Sequence, residues 1–360
     1  MSEAVTISQE RLAQLFTAWQ PAYEIEKIEA VTGDASLRRY FRIYYRSGTS
    51  GLHSYTVVAM VFDSLKPAEV GDPVSSSESY QTLSGVFAAC EVAVPQLFGE
   101  TLDGRVLFLE DLADVSLSSL VRPGEVEDEV LNYFYDAVRQ LLLLQEIDNT
   151  VFPYSRAFSE DIYVREMKEF SEYYLGLERA ERCRANSFYI FLARELSTYP
   201  QVLVHRDFHA SNIHVDPALR IRVIDFQDAL WGNRCYDIAS LLNDRDMDSA
   251  LGEQNLRLVW RFFAEQSGVI GKEEAESLQK QYLLCLLQRD LKVVGRFSKL
   301  SRERGLKHYE KWIPGTLRRI GRNLNHLAKE AGAVPYRDFL AALAGESQEV
   351  ANGAQLEVKF

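Results

Sequence analysis

The sequence is poor in cysteine, in positive charge and in long apolar runs. Four of its 360 residues are cysteines, and 40 Lys and Arg stand against 52 Asp and Glu, for a formal net charge of −12. This balance disfavours a protein that binds nucleic acid through a broad basic surface. No apolar run approaches the ~18 residues that a membrane-spanning helix needs, so we expect no such helix.

The scarcity of cysteine also disfavours a disulfide framework or a cysteine-rich metal site. The four thiols are far apart in the chain and lack metal-ligand spacing: Cys90, Cys183, Cys235 and Cys285. We expect them to be free and buried, as in proteins of a reducing compartment. The N-terminal stretch MSEAVTISQERLAQLF has neither the basic start nor the apolar core of a signal peptide. Together these features predict a cytoplasmic protein.

What is present is typical of a folded globular protein, with 47% hydrophobic and 26% charged residues. The length is sufficient for two lobes. Residues 1–111 are predicted to form the smaller lobe, with helices at 7–19 and 76–90, the second of which follows the capping box Ser75-x-x-Glu78. Runs of β-branched and aromatic residues predict five antiparallel strands, at 24–28, 37–45, 55–62, 92–98 and 106–109.

Residues 112–345 are predicted to form a larger, mainly helical lobe. Apolar residues with a 3.6-residue period predict helices at 132–145, 159–174, 188–198, 238–243, 256–266, 273–298 and 309–331. Two short strands are predicted between them, at 202–204 and 220–225. Residues 346–360 are polar and small and are predicted to be a loose tail. The fold class is therefore α+β, with a small antiparallel-sheet lobe and a larger helical lobe.

The segment that carries chemistry begins with His205-Arg206-Asp207, which is followed by Asn212 and, thirteen residues later, by Asp225. This spacing matches a phosphoryl-transfer catalytic loop, H-R-D-x-x-x-x-N, followed by a metal-binding Asp. Asp207 would orient the attacking hydroxyl and accept its proton. Asn212 and Asp225 offer the oxygen ligands that Mg²⁺ prefers, and Mg²⁺ would neutralise the charge of a triphosphate. If the two predicted strands form a hairpin, the three residues come together.

Four neighbours of this motif have more than one interpretation. His209 either hydrogen-bonds within the loop or contacts a phosphate or the acceptor. Gln227 and Asp228 stand next to the metal-binding Asp and are candidates to line the acceptor pocket, and Asp228 could instead cap the following turn. Asp237 is predicted to cap the following helix or to bind the backbone of the catalytic loop.

At these residues the chain resembles the aminoglycoside phosphotransferase and choline-kinase-like superfamily. Within it, the chain most resembles the bacterial kinases that phosphorylate N-acetylmuramate and N-acetylglucosamine at the anomeric hydroxyl. Three segments carry this likeness, and the first and third narrow it to the subgroup: GDASLRRYFRI at 33–43, VHRDFHASNIHV at 204–215 and QRDLKVVGRFSKL at 288–300. The resemblance implies a protein-kinase-like two-lobed fold, ATP and Mg²⁺ as cofactors and an amino sugar as acceptor. A protein kinase is disfavoured for two reasons. Protein kinases usually have Lys two residues after the catalytic Asp, where this chain has His209, and they have a long activation segment ending in Ala-Pro-Glu. Here Asp237 follows Asp225 by only twelve residues, which leaves no room for such a segment.

The same resemblance implies where the nucleotide binds. A hinge at 109–112, with Glu110 and Leu112, would meet the adenine, and a turn at 32–36, with Gly33 and Ser36, would cover the phosphates. This turn has one glycine rather than a glycine-rich loop.

The phosphate-binding lysine of strand three is missing from the sequence, because Met60 stands near its expected place. Candidates to replace this cation are Arg38, Arg39, Arg42 and Lys66. In an alternating strand Arg38 and Arg42 share one face, and Arg39 points to the other. Glu78 would either pair with such a cation or cap its helix.

A basic stripe follows one face of the helix predicted at 273–298. Arg289, Lys292 and Arg296 lie at i, i+3 and i+7. Such a stripe is usually a solvated face. The alternative is that Arg289 and Lys292 line the acceptor pocket, where the lactyl carboxylate of N-acetylmuramate would give them a partner.

Two other functions stay open. The same chemistry could act on an aminoglycoside, choline or homoserine, although a polycationic acceptor does not suit the basic stripe. A nucleotide-binding pseudokinase is suggested only by the missing lysine. The presence of Asp207, Asn212 and Asp225 argues against it, because a binding-only site has no need of both a base and a metal set.

Overall fold

The computed structural model describes residues 7–31, 38–47, 53–62, 77–330 and 332–357. They belong to two compact units, one formed by 1–115 with 214–228 and the other by 116–213 with 229–360. The sequence-based boundary at 111/112 assigns 214–228 to the helical lobe, whereas these residues cluster with the sheet. All four cysteines are free thiols. Within the described part of the chain, no helix has both the length and the apolarity for crossing a bilayer.

The first unit is built on a five-stranded antiparallel sheet in the order β1-β2-β3-β5-β4. Its helix α1, Gln9–Trp19, begins after Ser8, whose hydroxyl accepts a hydrogen bond from the backbone N–H of Arg11. The core between α1 and the sheet includes Leu12, Phe16 and Phe108. The predicted strands and the inserted helix are confirmed: β1 Tyr23–Val31, β2 Arg39–Ser47, β3 Ser54–Val61, α2 Ser77–Ala89, β4 Leu97–Glu100 and β5 Val106–Leu109.

The bounds predicted for the fourth strand, 92–98, are wrong: the strand is shorter and lies later in the chain, at Leu97–Glu100. The backbone N–H of Val94 donates to the carbonyl of Val92 at 2.9 Å, which makes a tight turn there. Pro95 follows, and proline has no N–H to give to a strand ladder. The ladder therefore begins at Leu97.

The second unit is mainly helical, as predicted. A two-stranded sheet pairs β6, Gln201–Val204, with β9, Leu230–Asn233. The α-helices up to this sheet are α3 Leu117–Leu120, α4 Asp128–Glu146, α5 Glu160–Glu169, α6 Leu177–Arg182 and α7 Ala185–Ser197. Those after it are α8 Tyr236–Asn243, α9 Met247–Gln266, α10 Lys272–Arg304, α11 Ile313–Leu327, α12 Val334–Glu346 and α13 Gln348–Gly353.

The predicted hairpin of 202–204 with 220–225 is wrong. β6 pairs with β9, and the second predicted strand, β8 Ile221–Val223, pairs with β7, Ile213–Val215. The turn after β7 is stabilised by Asp216, whose carboxylate accepts from the backbone N–H groups of Ala218 and Arg220, each at 2.9 Å. A short turn of this kind closes at a lower entropic cost than the longer loop from 205 to 219.

The predicted loose tail is also wrong for α13. Ser347 caps this helix through a hydrogen bond from the backbone N–H of Val350, and Val350 is fully buried. Gly321 and Gly353 allow α11 and α13 to pack closely, because a Cβ at either position would collide with backbone atoms of the other helix. The polar composition of residues 346–360 gave no indication of this contact.

The helix predicted at 159–174 has two parts. After α5 the chain forms a single π-helical turn, Phe170–Leu175. Gly295 of α10 lies against this junction, where a Cβ would collide with the backbone of Glu169 and Phe170. α5 is therefore held close to α10 by backbone packing.

Candidate active site

The catalytic loop begins directly after β6, and its backbone is hydrogen-bonded to the side chain of Asp237. The Asp237 carboxylate accepts from the backbone N–H of His205 at 2.6 Å and from that of Arg206 at 3.0 Å. Arg206 has a φ of 80°, a left-handed conformation that costs free energy in a non-glycine residue. Burial raises the pKa of Asp237 to about 7, although the two N–H groups act in the opposite direction. The predicted role of Asp237 as a partner of the loop backbone is confirmed.

Asp207 is half-buried and is surrounded by positive charge. Burial alone would raise the pKa of Asp207, but the charges of Lys292, Arg289 and Arg206 outweigh it and hold this pKa well below its ordinary value. The carboxylate is therefore ionised at neutral pH and able to accept a hydrogen bond from a hydroxyl.

Asn212 closes the same loop in a 3₁₀ turn, Ala210–Asn212. Its side-chain Nδ2 donates to the carbonyl oxygen of Asp207 at 3.0 Å. Because the nitrogen of the amide is used in this way, its oxygen is the end that remains for a metal ion. This orientation suits the predicted role of Asn212.

His209 lies in this loop, and burial lowers its pKa below the ordinary value. A neutral imidazole carries no positive charge with which to bind a phosphate. Nearby, Nη1 of Arg245 donates to the hydroxyl of Ser211 at 3.0 Å, and its guanidinium stands over the ring of Trp312 at 5.6 Å. The contact of His209 with the acceptor stays a prediction.

The first unit contains Asp225, just after β8. Asp225 has a φ of 65°, and the ring of the next residue, Phe226, packs between those of Tyr80 and Phe87. Oδ1 of Asp225 accepts from Nη2 of Arg38 at 2.8 Å and from Nε2 of Gln227 at 3.0 Å. The Asp225 side chain is 38% exposed, against 11% for Arg38. Asp225 thus retains surface that a ligand can reach.

The three arginines that could replace the missing lysine differ in their contacts. Arg38 binds Asp225 and also lies within electrostatic range of Asp228. Arg42 binds both oxygens of Asp111 at 2.7 and 3.0 Å, and its guanidinium also binds Asp114. Arg39 points to the other face of the sheet, where Nη2 donates to the carbonyl of Ile7 at 2.9 Å. Among these three, the geometry favours Arg38.

Glu110, the acidic residue of the predicted hinge, has a structural role. The Glu110 carboxylate accepts from the backbone N–H of Gln96 at 3.1 Å and pairs with Arg222 of β8 at 3.3 Å. Leu112 is buried. Contact of Glu110 and Leu112 with a nucleotide stays a prediction. Gly33, Ser36 and Lys66 lie outside the described residues, and Glu78 is exposed in the first turn of α2.

The basic stripe on α10 is a solvated face only at Arg296, which is 49% exposed and pairs with Glu169. Arg289 is buried: Nη1 donates to the carbonyl of Arg206 at 2.9 Å, and the guanidinium stands over the ring of Tyr236 at 5.0 Å. The Lys292 side chain is 13% exposed, and its Nζ donates to the Tyr236 hydroxyl at 3.3 Å. The stripe therefore reaches the catalytic loop.

Glu166 of α5 is a residue that sequence reasoning missed. Its Oε1 accepts from Nη2 of Arg206 at 2.7 Å and pairs with Lys292 at 3.3 Å, and its Oε2 accepts from Nε2 of Gln288 at 3.0 Å. Burial would raise the pKa of Glu166, but Lys292 and Arg206 lower it to about 2. Its partners are up to 126 residues away in the sequence, so no local pattern could have revealed the contacts.

Asp225 of the first unit and Asn212 of the second unit each carry a side-chain oxygen of the kind that Mg²⁺ prefers. The described ranges contain no group of three or more His, Cys, Asp and Glu side chains that could hold a metal ion by themselves. Mg²⁺ bound to a nucleotide needs only one or two protein oxygen ligands, because phosphates and water complete its shell. The Asp225 carboxylate and the Asn212 amide oxygen are ligands of this kind.

Comparisons with known proteins agree with this arrangement. The sequence pattern of the phosphotransferase enzyme family matches residues 27–266. A protein of Pseudomonas aeruginosa named N-acetylmuramate/N-acetylglucosamine kinase is 28% identical over 319 residues, which span 84% of this chain and 86% of that protein.

Two solved structures show the same fold. A choline/ethanolamine kinase family protein of Mesorhizobium loti superposes with a TM-score of 0.57 at 14% identity, covering 94% of this chain and 99% of that one. An aminoglycoside 2'-phosphotransferase in its GDP complex gives a TM-score of 0.54 at 14% identity, covering 88% and 98%. The predicted protein-kinase-like α+β fold is confirmed.

Proposed function

Because the chain belongs to the phosphotransferase enzyme family, we propose that it transfers the γ-phosphate of ATP to an amino sugar, with N-acetylmuramate and N-acetylglucosamine as acceptors. It is a kinase with a hydroxyl acceptor, and we assign the anomeric hydroxyl. The observation that carries the proposal is Asp207 in a loop whose backbone N–H groups bind the Asp237 carboxylate, with positive charges around Asp207 that lower its pKa. An ionised carboxylate in a strained, fixed loop is suited to orient a hydroxyl for in-line attack.

The residues of each unit have separate tasks in this reaction. Asp207 accepts the hydrogen bond of the acceptor hydroxyl and takes its proton late, when the oxygen has become acidic. Asn212 and Asp225 would hold Mg²⁺, which neutralises the charge that develops on the phosphates. Arg38 is assigned to the phosphates in place of the strand-three lysine, with Gly33 and Ser36 of the preceding turn. Glu110 and Leu112 are assigned to the adenine.

The choice of acceptor is supported by the name of the Pseudomonas aeruginosa relative and by the two segments that narrow the likeness to the subgroup, at 33–43 and 288–300. The charge near the base supports it as well. Lys292, Arg289 and Arg206 all act on Asp207, and such surroundings disfavour a polycationic aminoglycoside. His209, Asp228, Arg289 and Lys292 are the candidate acceptor contacts. A cytoplasmic location, where ATP is available and thiols stay reduced, is part of the proposal.

The test is ATP consumption with Mg²⁺ on a panel of acceptors: N-acetylmuramate, N-acetylglucosamine, other hexoses, kanamycin, choline and homoserine. Turnover on the N-acetyl sugars, lost in Asp207→Asn, is expected. Asp161→Asn is the matched control, because Asp161 is exposed on α5. Product analysis then tests the anomeric position, since a 1-phosphate no longer reduces an oxidising dye. Turnover only on a non-sugar would contradict the acceptor, and activity in Asp207→Asn would contradict the assigned base.

A further inference from the structure

Two carboxylates compete for the same cations in the second unit. Glu166 is in direct contact with Arg206 and Lys292, at 2.7 and 3.3 Å. The same two residues are among the charges that act on Asp207. The direct ion pairs thus belong to Glu166, which stands outside the H-R-D-x-x-x-x-N motif.

The groups that face this cluster nearly balance in charge. The cations are Arg206 of the loop and Arg289 and Lys292 of α10, and the carboxylates are Glu166, Asp207 and Asp244. The cluster is also faced by Asp237, Tyr236 and His209. Burial raises the pKa of Asp237 and of Tyr236 and lowers that of His209, and each shift favours the neutral form of the group. Buried charges without partners are costly, so loss of one carboxylate forces its cations to find another.

The place of Glu166 is set by the fold and not by its ion pairs alone. Its helix, α5, is pressed against α10 where Gly295 meets the backbone of Glu169 and Phe170. Gln288 of α10 adds a hydrogen bond to the second carboxylate oxygen at 3.0 Å. The carboxylate is therefore a fixed anchor toward which the long side chains of Arg206 and Lys292 extend.

We propose that Glu166 is a positioning residue: it draws Arg206 and Lys292 to itself and so leaves the Asp207 carboxylate open to the acceptor hydroxyl. If Glu166 is removed, Asp207 is the remaining carboxylate whose charge acts on both of these cations. A direct ion pair there would occupy the oxygen that the hydroxyl needs. This inference rests on the part of the proposed function that makes Asp207 the base.

The test is steady-state kinetics of Glu166→Gln on the acceptor that the wild type uses. We expect kcat to fall about 10- to 100-fold, within the contribution of a general base, while KM for ATP stays within about twofold. Glu169→Gln is the matched control, since Glu169 lies one turn away on the same helix and pairs with the peripheral Arg296 and Lys299. It should retain wild-type kcat.

The double variant Glu166→Gln/Lys292→Met distinguishes a positioning role of Glu166 from a merely structural one. Removing one of the released cations should restore at least part of the lost kcat relative to Glu166→Gln alone. If the two single losses multiply in the double variant, or if Glu166→Gln has wild-type kcat, the inference is wrong. Activity in Asp207→Asn would instead contradict the assigned base, which is the part of the proposed function on which this inference rests.

Folding is monitored by the thermal unfolding midpoint of each variant. If Glu166→Gln does not fold, Glu166→Asp replaces it, because the shorter side chain keeps the charge but withdraws it from α10. A lower kcat with unchanged KM for ATP is then expected. A folded Glu166→Asp with wild-type kcat and a raised KM for ATP would overturn the inference.

Discussion

The guanidinium of Arg38 donates to Oδ1 of Asp225 at 2.8 Å, across 187 residues of sequence. Both residues belong to the first unit, and Arg38 comes directly before β2. The expected metal ligand thus has a cation beside it, although strand three carries Met60 where a lysine is usual. A cation in contact with a metal-binding carboxylate is placed to bind the phosphates that share the metal.

Replacing Arg38 should therefore weaken nucleotide binding more than acceptor binding. Arg38→Ala is expected to raise KM for ATP about 10- to 100-fold, as for loss of a charge-assisted contact, with less than a threefold change in KM for the sugar. Arg39→Ala is the control, because Arg39 contacts the Ile7 carbonyl on the other face of the sheet. Equal effects of the two substitutions on KM for ATP would contradict the assignment.

Metal removal should abolish turnover, and Asp225 should determine how much metal is needed. Chelation by EDTA is expected to stop ATP consumption, and excess Mg²⁺ should restore it. In Asp225→Asn the loss of a charged ligand should raise the Mg²⁺ concentration for half-maximal activity by about tenfold or more. Asp216→Asn tests the specificity of this effect, since the contacts of the Asp216 carboxylate among the described residues are with the β7–β8 turn and with Arg220 and Arg222. An unchanged Mg²⁺ requirement in Asp225→Asn would argue against the assigned ligand.

Arg289 offers a test of acceptor charge. Because its Nη1 bonds the Arg206 carbonyl, Arg289→Ala should lower kcat about tenfold for both N-acetylmuramate and N-acetylglucosamine through disorder of the loop. Because Arg289 is a candidate contact of the lactyl carboxylate, its replacement should also raise KM at least tenfold more for N-acetylmuramate than for N-acetylglucosamine. KM values that change by similar factors for the two sugars would contradict this contact.

The stability of the fold should depend on pH through Glu166. Burial alone would raise the pKa of its carboxylate, but the charges of Lys292 and Arg206 lower it from an ordinary 4.5 to about 2 in the folded state. A depressed pKa stabilises the fold above the unfolded-state value, and this contribution is lost as pH falls from about 4.5 toward 2. The urea midpoint of the wild type should fall more steeply from pH 5 to 3 than that of Glu166→Gln. Parallel curves would contradict the coupling.

The contact of α13 with α11 can be tested through its glycines. Gly353→Ala should destabilise the protein by about 1–3 kcal/mol, because the new Cβ collides with the backbone of Arg318. Gly345→Ala in α12 is the matched control, since nothing lies near its Cβ position. It should be neutral or stabilising by about 0.5–1 kcal/mol. The free energy of unfolding by urea distinguishes the two, and a neutral Gly353→Ala would favour the loose tail.

Local patterns were sufficient for much of this fold and for the motif. Strand and helix periodicity depend on neighbouring residues, so the five-stranded sheet and the long helices were predictable. The loop from His205 to Asn212 was also recognisable, because its chemistry lies within eight consecutive residues.

The tertiary structure alone decided which distant residues meet. The Arg38–Asp225 pair, the contacts of Glu166 with Arg206 and Lys292, and the pairing of β6 with β9 join segments that no local period relates. Helix α13 was missed for the same reason, since its polar composition matters less than the two glycines that let it pack. Long-range contacts form where backbone closeness and charge balance permit them, and neither is readable from the residues of one segment.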